Sequence, residues 1–122
     1  MFALDNYIMN YSPELIKGTL KTILLKLLAD NGRMYGYEIT QRVRELTGDR
    51  IQITEGALYP SLHALEAAGL VKAESETIGK RVRRYYKLSP KGKGQAQEKV
   101  NEMAEFMQTM SFLLNLKTKP AR

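Results

Sequence analysis

The residues best suited to chemistry in this chain of 122 are cations, and they are concentrated. Between Ala73 and Gly94, Lys80, Arg81, Arg83, Arg84, Lys87, Lys91 and Lys93 face only Glu74 and Glu76, so five of the six net positive charges fall in this one stretch. A diffuse charge of that size would serve solubility. A concentrated one creates a local field that attracts a polyanion, most simply the phosphate backbone of double-stranded DNA. The bland alternative is a solvated basic hairpin without a partner. Other chemistries are closed off by composition. With no Cys and a single histidine, His63, the chain has no thiolate nucleophile, Fe–S cluster, Cys/His zinc centre or two-histidine metal site. His63 has no nucleophile or orienting carboxylate at a recognisable spacing, and no phosphate-cradling glycine loop stands elsewhere, so neither an enzyme nor a bound cofactor or metal is expected.

These cations must be carried by some scaffold. An apolar fraction of 43% is enough for one core. Lys17, Lys21 and Lys26 interrupt the most hydrophobic segment, which excludes a membrane span. The first residues show no basic flank, apolar stretch and cleavage site, and Asp5 stands where a positive region would be, so a cytoplasmic location is expected.

Three segments follow from the patterning: an N-terminal arm over 1–11 with Phe2, Tyr7 and Tyr11, a compact unit over 12–92, and a long helix over 93–116. Ser12, Pro13 and Glu14 form a helix start, and Leu20, Ile23, Leu24, Leu27 and Leu28 an apolar stripe that stops at Asn31 and Gly32. A second helix is expected from Met34 or Tyr35, with Ile39, Val43 and Leu46 inward, ending at Thr47 and Gly48. Thr54 can cap a third, with Ile53 and Leu58 as a hydrophobic staple. There Leu58, Leu62 and Leu65 share the core face, while Tyr59, His63 and Glu66 lie opposite. Pro60 predicts either a distorted first turn or regular helix beginning only near Tyr59.

After Gly69 the period changes to two. Leu70–Ser75 and Val82–Leu88 read as the strands of a hairpin, joined by a loop containing Gly79. Arg81, Arg83, Tyr85 and Lys87 fall on one face of the second strand, which is therefore expected to be cationic along its length. Ser89 and Pro90 repeat the start signal. Ala96, Val100, Met103, Met107, Met110 and Leu114 then form a heptad seam widened by Phe106 and Leu113, in a helix expected to reach Leu116.

Three helices followed by a hairpin make a mainly α fold with a small β element (α+β), in the order of a winged helix-turn-helix, with a long C-terminal dimerisation helix. In such a fold the third helix enters the major groove, about 12 Å wide, and the hairpin lies on the flanking backbone or minor groove. The candidate DNA contacts are therefore Gly56, Tyr59, Pro60, Ser61 and His63 on the third helix. Tyr35, Gly36 and Tyr37 at the start of the second join them, with Lys80, Arg81, Arg83 and Arg84 on the hairpin. The duller alternatives are a Tyr59 that covers the core edge and a Tyr37 at an ordinary packed helix start. The seam, with Val100, Met103, Phe106, Met107, Met110 and Leu114, exceeds what one small core covers, so a homodimer on a roughly palindromic operator is expected, the duller alternative being a helix that folds back on its own domain. The competing expectation is a winged-helix protein-interaction module that docks a partner through the Met-rich helix and binds no DNA.

Three motifs carry a resemblance: Tyr35-Gly36-Tyr37-Glu38-Ile39; Gly56-Ala57-Leu58-Tyr59-Pro60-Ser61 with Leu62, Leu65, Glu66 and Gly69; and Arg84-Tyr85-Tyr86 with Leu88, Ser89 and Gly92. From about Leu20 to Gly92 the chain resembles the PadR family of bacterial transcriptional regulators, in its small branch with a single helix after the wing. The resemblance implies a dimeric repressor, with the hairpin as wing and Tyr59 among the backbone-contacting residues. Some small members stack flat aromatic drugs between tryptophans. This chain has no Trp and carries Met103 about where that helix would supply one. Met103, Met107, Met110 and Phe106 could line an adaptable apolar cavity for a small aromatic or apolar effector, but core or dimer seam is the commoner use of a Met stripe at helical spacing and is the reading expected here.

Overall fold

The computed structural model describes residues 11–116, so the expected N-terminal arm lies outside the described residues except for Tyr11. Helix α1 (Pro13–Asn31) begins where the Ser12 hydroxyl accepts from the Leu15 amide at 3.4 Å, and it stops at Gly32, whose φ of 79° suits a residue without a Cβ. Leu20, Leu24, Leu25, Leu27 and Leu28 are buried along it.

The chain then departs from expectation. Met34 and Tyr35 are not helical but form a short strand, β1 (Met34–Tyr35), and helix α2 (Gly36–Thr47) starts only after it. Two residues are too few for a period to show, and their partner strand is about fifty positions away. In α2, Ile39 and Val43 are buried as expected. Leu46 is exposed, because α2 contacts the core only through its first turns. Helix α3 (Glu55–Ala67) is capped by Thr54, whose hydroxyl accepts from the Ala57 amide at 3.2 Å. It runs as one helix through Pro60, so regular helix does not wait for Tyr59. The amides of Ala57 and Leu58 both reach the Thr54 carbonyl, a tightened first turn ahead of the proline.

The expected hairpin is longer and tighter than its sequence pattern. Strands β2 (Val71–Ile78) and β3 (Arg81–Leu88) pair antiparallel along their whole length, from Val71 with Leu88 to Ile78 with Arg81. Only Gly79 and Lys80 are left for the turn. Gly79 alone of the two has positive φ, at 60°, the pattern of a II′ turn. β1 adds to the free edge of β3, with Met34 against Tyr86 and Tyr35 against Tyr85, completing a sheet of order β1-β3-β2. One sheet face, with Met34, Val71, Tyr86 and Leu88, closes the core beneath the helices; the tip projects beyond it.

Helix α4 (Pro90–Leu113) ends three residues earlier than expected, at a Leu114 cap. Ser89, itself buried, accepts from the Gly92 amide at 3.0 Å and donates to the Gly69 carbonyl at 2.6 Å, pinning the start of α4 to the end of α3. No helix among the described residues is long and apolar enough to cross a membrane.

Candidate nucleic-acid interface

Helix α3 presents Glu55, Gly56, Pro60, His63, Ala64 and Ala67 to solvent. A helix N-terminus with small side chains admits close approach by a large partner, and its amides favour anions. Tyr59 is not on the fully outward face. It is half-buried and packed against the core, with its ring resting on Gly36 at the start of α2. Its phenol is pushed up from the ordinary value, first by burial and then by the neighbouring Glu55 carboxylate, so it stays a hydrogen-bond donor. The His63 ring lies tilted beside Tyr59, centroids 6.5 Å apart, and is exposed. Ser61 is half-buried instead of outward. With Gly56 and Pro60 it borders a groove of about 690 Å³ between α3 and the N-terminal half of α1.

At the start of α2, Tyr37 is exposed and its hydroxyl accepts from the Gln41 amide nitrogen at 2.9 Å. Gly36 is buried, and the Tyr35 amide donates to the Glu38 carboxylate at 3.0 Å. The Tyr35 side chain turns away from α2 onto the outer face of the sheet, where it meets Tyr85 edge-to-face at 5.5 Å.

The outer sheet face is not uniformly cationic. Register places Glu74 opposite Tyr85 and Glu76 opposite Arg83. Arg33, from the link before β1, bridges both acids, at 3.2 Å to Glu74 and 2.7 Å to Glu76, and lies over the Tyr85 ring at 3.9 Å. Lys87 holds the other Glu74 oxygen at 2.9 Å. Arg83 covers Tyr35 at 4.1 Å and donates to the Tyr85 hydroxyl at 3.4 Å. Arg84 points the opposite way, to α3, where it pairs with Glu66 at 3.4 Å. The four hairpin cations therefore do not gather on one face. Arg83 and Arg84 brace the hairpin to β1 and α3 respectively, while Lys80 and Arg81 stand exposed at the tip without an acidic partner among the described residues.

Arg33 and Glu66, which hold the hairpin through ion pairs, were not among the candidate contacts. Arg33 and Tyr35 flank the inward Met34 in strand alternation, but over a segment too short to recognise.

Of the seam residues, Val100, Met103 and Met110 are half-buried, and Phe106, Met107 and Leu114 are exposed. The first half of α4 lies on α1 of its own chain, with Ala96 buried, and Met103 and Phe106 border a groove of about 560 Å³ against Leu15, Thr19 and Leu25. The second half leaves Phe106 57%, Phe112 90% and Leu113 70% exposed, an apolar patch of the kind that marks an interaction surface.

Three helices with a capped third, followed by a hairpin braced to that third helix, define a winged helix-turn-helix protein. A family profile described as "Transcriptional regulator PadR-like family" matches residues 24–98, and the chain belongs to that family of transcriptional regulators. It is 35% identical over 80 residues to a transcriptional regulator of Mycobacterium tuberculosis, covering 66% of this chain and 71% of that one. A PadR-family regulator from Eggerthella lenta superposes with a TM-score of 0.73 at 27% identity, covering 85% of this chain and 88% of that one. A transcriptional regulator from Clostridium thermocellum gives 0.71 at 29%, covering 88% and 99%. The family regulates transcription through DNA and is not one of enzymes.

Proposed function

We propose that this protein is a sequence-specific repressor that binds a roughly palindromic operator as a homodimer. The observation that carries this reading is the arrangement of α3 and the wing: a capped helix with small exposed residues, tied through Glu66 and Arg84 to a hairpin whose tip cations Lys80 and Arg81 have no acidic partner among the described residues. Small residues at α3 suit contact with base edges, and cations at the tip suit phosphates. The exposed apolar half of α4 supports a second copy as its cover. Two-fold pairing would set two copies of α3 at half-sites about one duplex turn, 34–36 Å, apart. The groove bordered by Met103 and Phe106 supports a small aromatic or apolar effector as the releasing signal.

The test is a fluorescence-anisotropy titration of duplex DNA at several salt concentrations. With about 6 to 10 phosphate contacts per dimer, affinity falls roughly 10³- to 10⁵-fold between 50 and 200 mM salt. A flat salt response contradicts the reading. The exposed apolar residues of α4 also favour the alternative of a partner-docking module, and size-exclusion chromatography with and without duplex separates the two.

A further inference from the structure

Two local charge rules are broken at one place in the fold. Strands β2 and β3 set Lys72 directly opposite Lys87, and like charges facing across a strand pair repel. The first turn of α4 carries Lys91 and Lys93 and no acid, although a helix N-terminus favours carboxylates. Lys91 has a local explanation, since it donates to the Ala68 carbonyl at the end of α3 at 3.3 Å. Lys87 is held by Glu74. Lys72 and Lys93 have no acidic partner among the described residues.

These breaches converge on one recess. Arg33, Lys72, Lys87 and Lys93 line a cavity of about 870 Å³ between the end of α1, the base of the sheet and the start of α4, and no carboxylate lines it. Its apolar lining is Leu28, Ala29, Leu88 and Pro90, aliphatic carbon without an aromatic ring. That size is ordinary for a small-molecule site. Lys87 stands six positions along β3 from Arg81, about 20 Å at the rise of a strand, so the recess is remote from the wing tip. Sequence positions that defy local charge preference without local compensation point to function.

We propose that this cavity binds a small amphiphilic anion of the medium-chain alkyl carboxylate class. Its headgroup lies among Lys72, Lys93 and Arg33 and its chain over Leu28 and Leu88. Arg33, one of the lining residues, also bridges Glu74 and Glu76 through its guanidinium, which covers Tyr85. A bound carboxylate competes with those acids for Arg33 and Lys87 and loosens the brace of the wing, which weakens DNA binding. This regulatory half rests on the DNA-binding reading; the binding site does not.

The experiment titrates octanoate into the full chain without DNA and follows backbone amide NMR shifts. Expected are saturable shifts at Arg33, Lys72, Lys87 and Lys93, with affinity about tenfold weaker in the double variant Lys72→Gln/Lys93→Gln, the loss of roughly 1.4 kcal/mol. Both lysines are exposed, and a thermal midpoint no lower than that of the wild type, as expected once the like charges are removed, verifies that the variant folds. Octanol and acetate, which lack the charge and the chain respectively, are expected to bind more weakly than octanoate. The site is overturned by absent or unsaturable shifts at these residues, by a variant that binds octanoate normally, or by octanol or acetate matching octanoate. Saturating octanoate is then expected to weaken duplex binding by the wild-type chain and not by the variant. Duplex affinity indifferent to octanoate overturns the regulatory half. Failure to bind duplex under any condition overturns the DNA reading and the regulatory half together, while the anion site still stands on the NMR result.

Discussion

The ring of Tyr59 lies flush against Gly36: a Cβ built on Gly36 would come within 2.8 Å of the ring carbon bearing the hydroxyl. This approach sets α3 against the first residue of α2. The spacing of the two helices that form the helix-turn-helix therefore depends on a glycine at that point.

Gly36→Ala is expected to displace the Tyr59 ring and to destabilise the fold by about 1–3 kcal/mol, the range for overpacking. Adding Tyr59→Leu should return part of that loss, and a double-mutant cycle of thermal midpoints reads the coupling. Strictly additive costs would show that the contact is not felt. Gly92→Ala makes the contrast, since its Cβ would meet the Leu70 backbone, 2.9 Å from the carbonyl carbon. Backbone cannot swing aside as a side-chain tip can, so this variant is expected to lose more stability than Gly36→Ala.

Lys80→Ala with Arg81→Ala removes the two tip cations from residues that are exposed and without acidic partners. Stability should stay within about 0.5 kcal/mol, while the slope of log affinity against log salt falls by about two per subunit. Arg83→Ala should behave differently, lowering the thermal midpoint as well as DNA affinity, because Arg83 is stacked on Tyr35 and bonded to Tyr85. A tip variant with an unaltered salt slope would remove the wing from the interface.

The Glu74 carboxyl is held below the ordinary glutamate value of 4.5, first by the hydrogen bond from Lys87 and then by that from Arg33. A depressed folded-state value contributes stability that is fully present above the ordinary value and is lost as pH falls through the depressed one. The groups are well exposed to solvent, so the contribution is small and screened by salt. NMR titration is expected to place the Glu74 midpoint below that of an unpaired glutamate, and Lys87→Gln to raise it. A midpoint indifferent to Lys87 would dissolve the pair.

Phe106→Ser with Leu113→Ser should shift the proposed dimer toward monomer and weaken duplex binding, since the second half-site is then bound independently. Sedimentation over a range of concentrations checks the assembly. A variant that remains as associated as the wild type would move the interface elsewhere.

Local chemistry sufficed for much of this molecule. The caps at Ser12, Thr54 and Ser89, the stop at Gly32 and the apolar stripes of α1 and α3 were legible because each depends on residues within one or two turns of each other. The concentration of charge after Ala73 was equally legible from residue types. What required the assembled chain was every relationship between distant segments. Met34 and Tyr35 become a strand only because β3 offers an unpaired edge. Tyr59 turns inward only because α2 brings a glycine beneath it. Strand alternation correctly separated Arg83 from Arg84, but which neighbour each would meet was decided by packing: Tyr35 and Tyr85 on one side of the sheet, Glu66 on the other. Periodicity assigns a residue to a face of its own element; what that face touches depends on chain closures tens of residues long, for which no local rule exists.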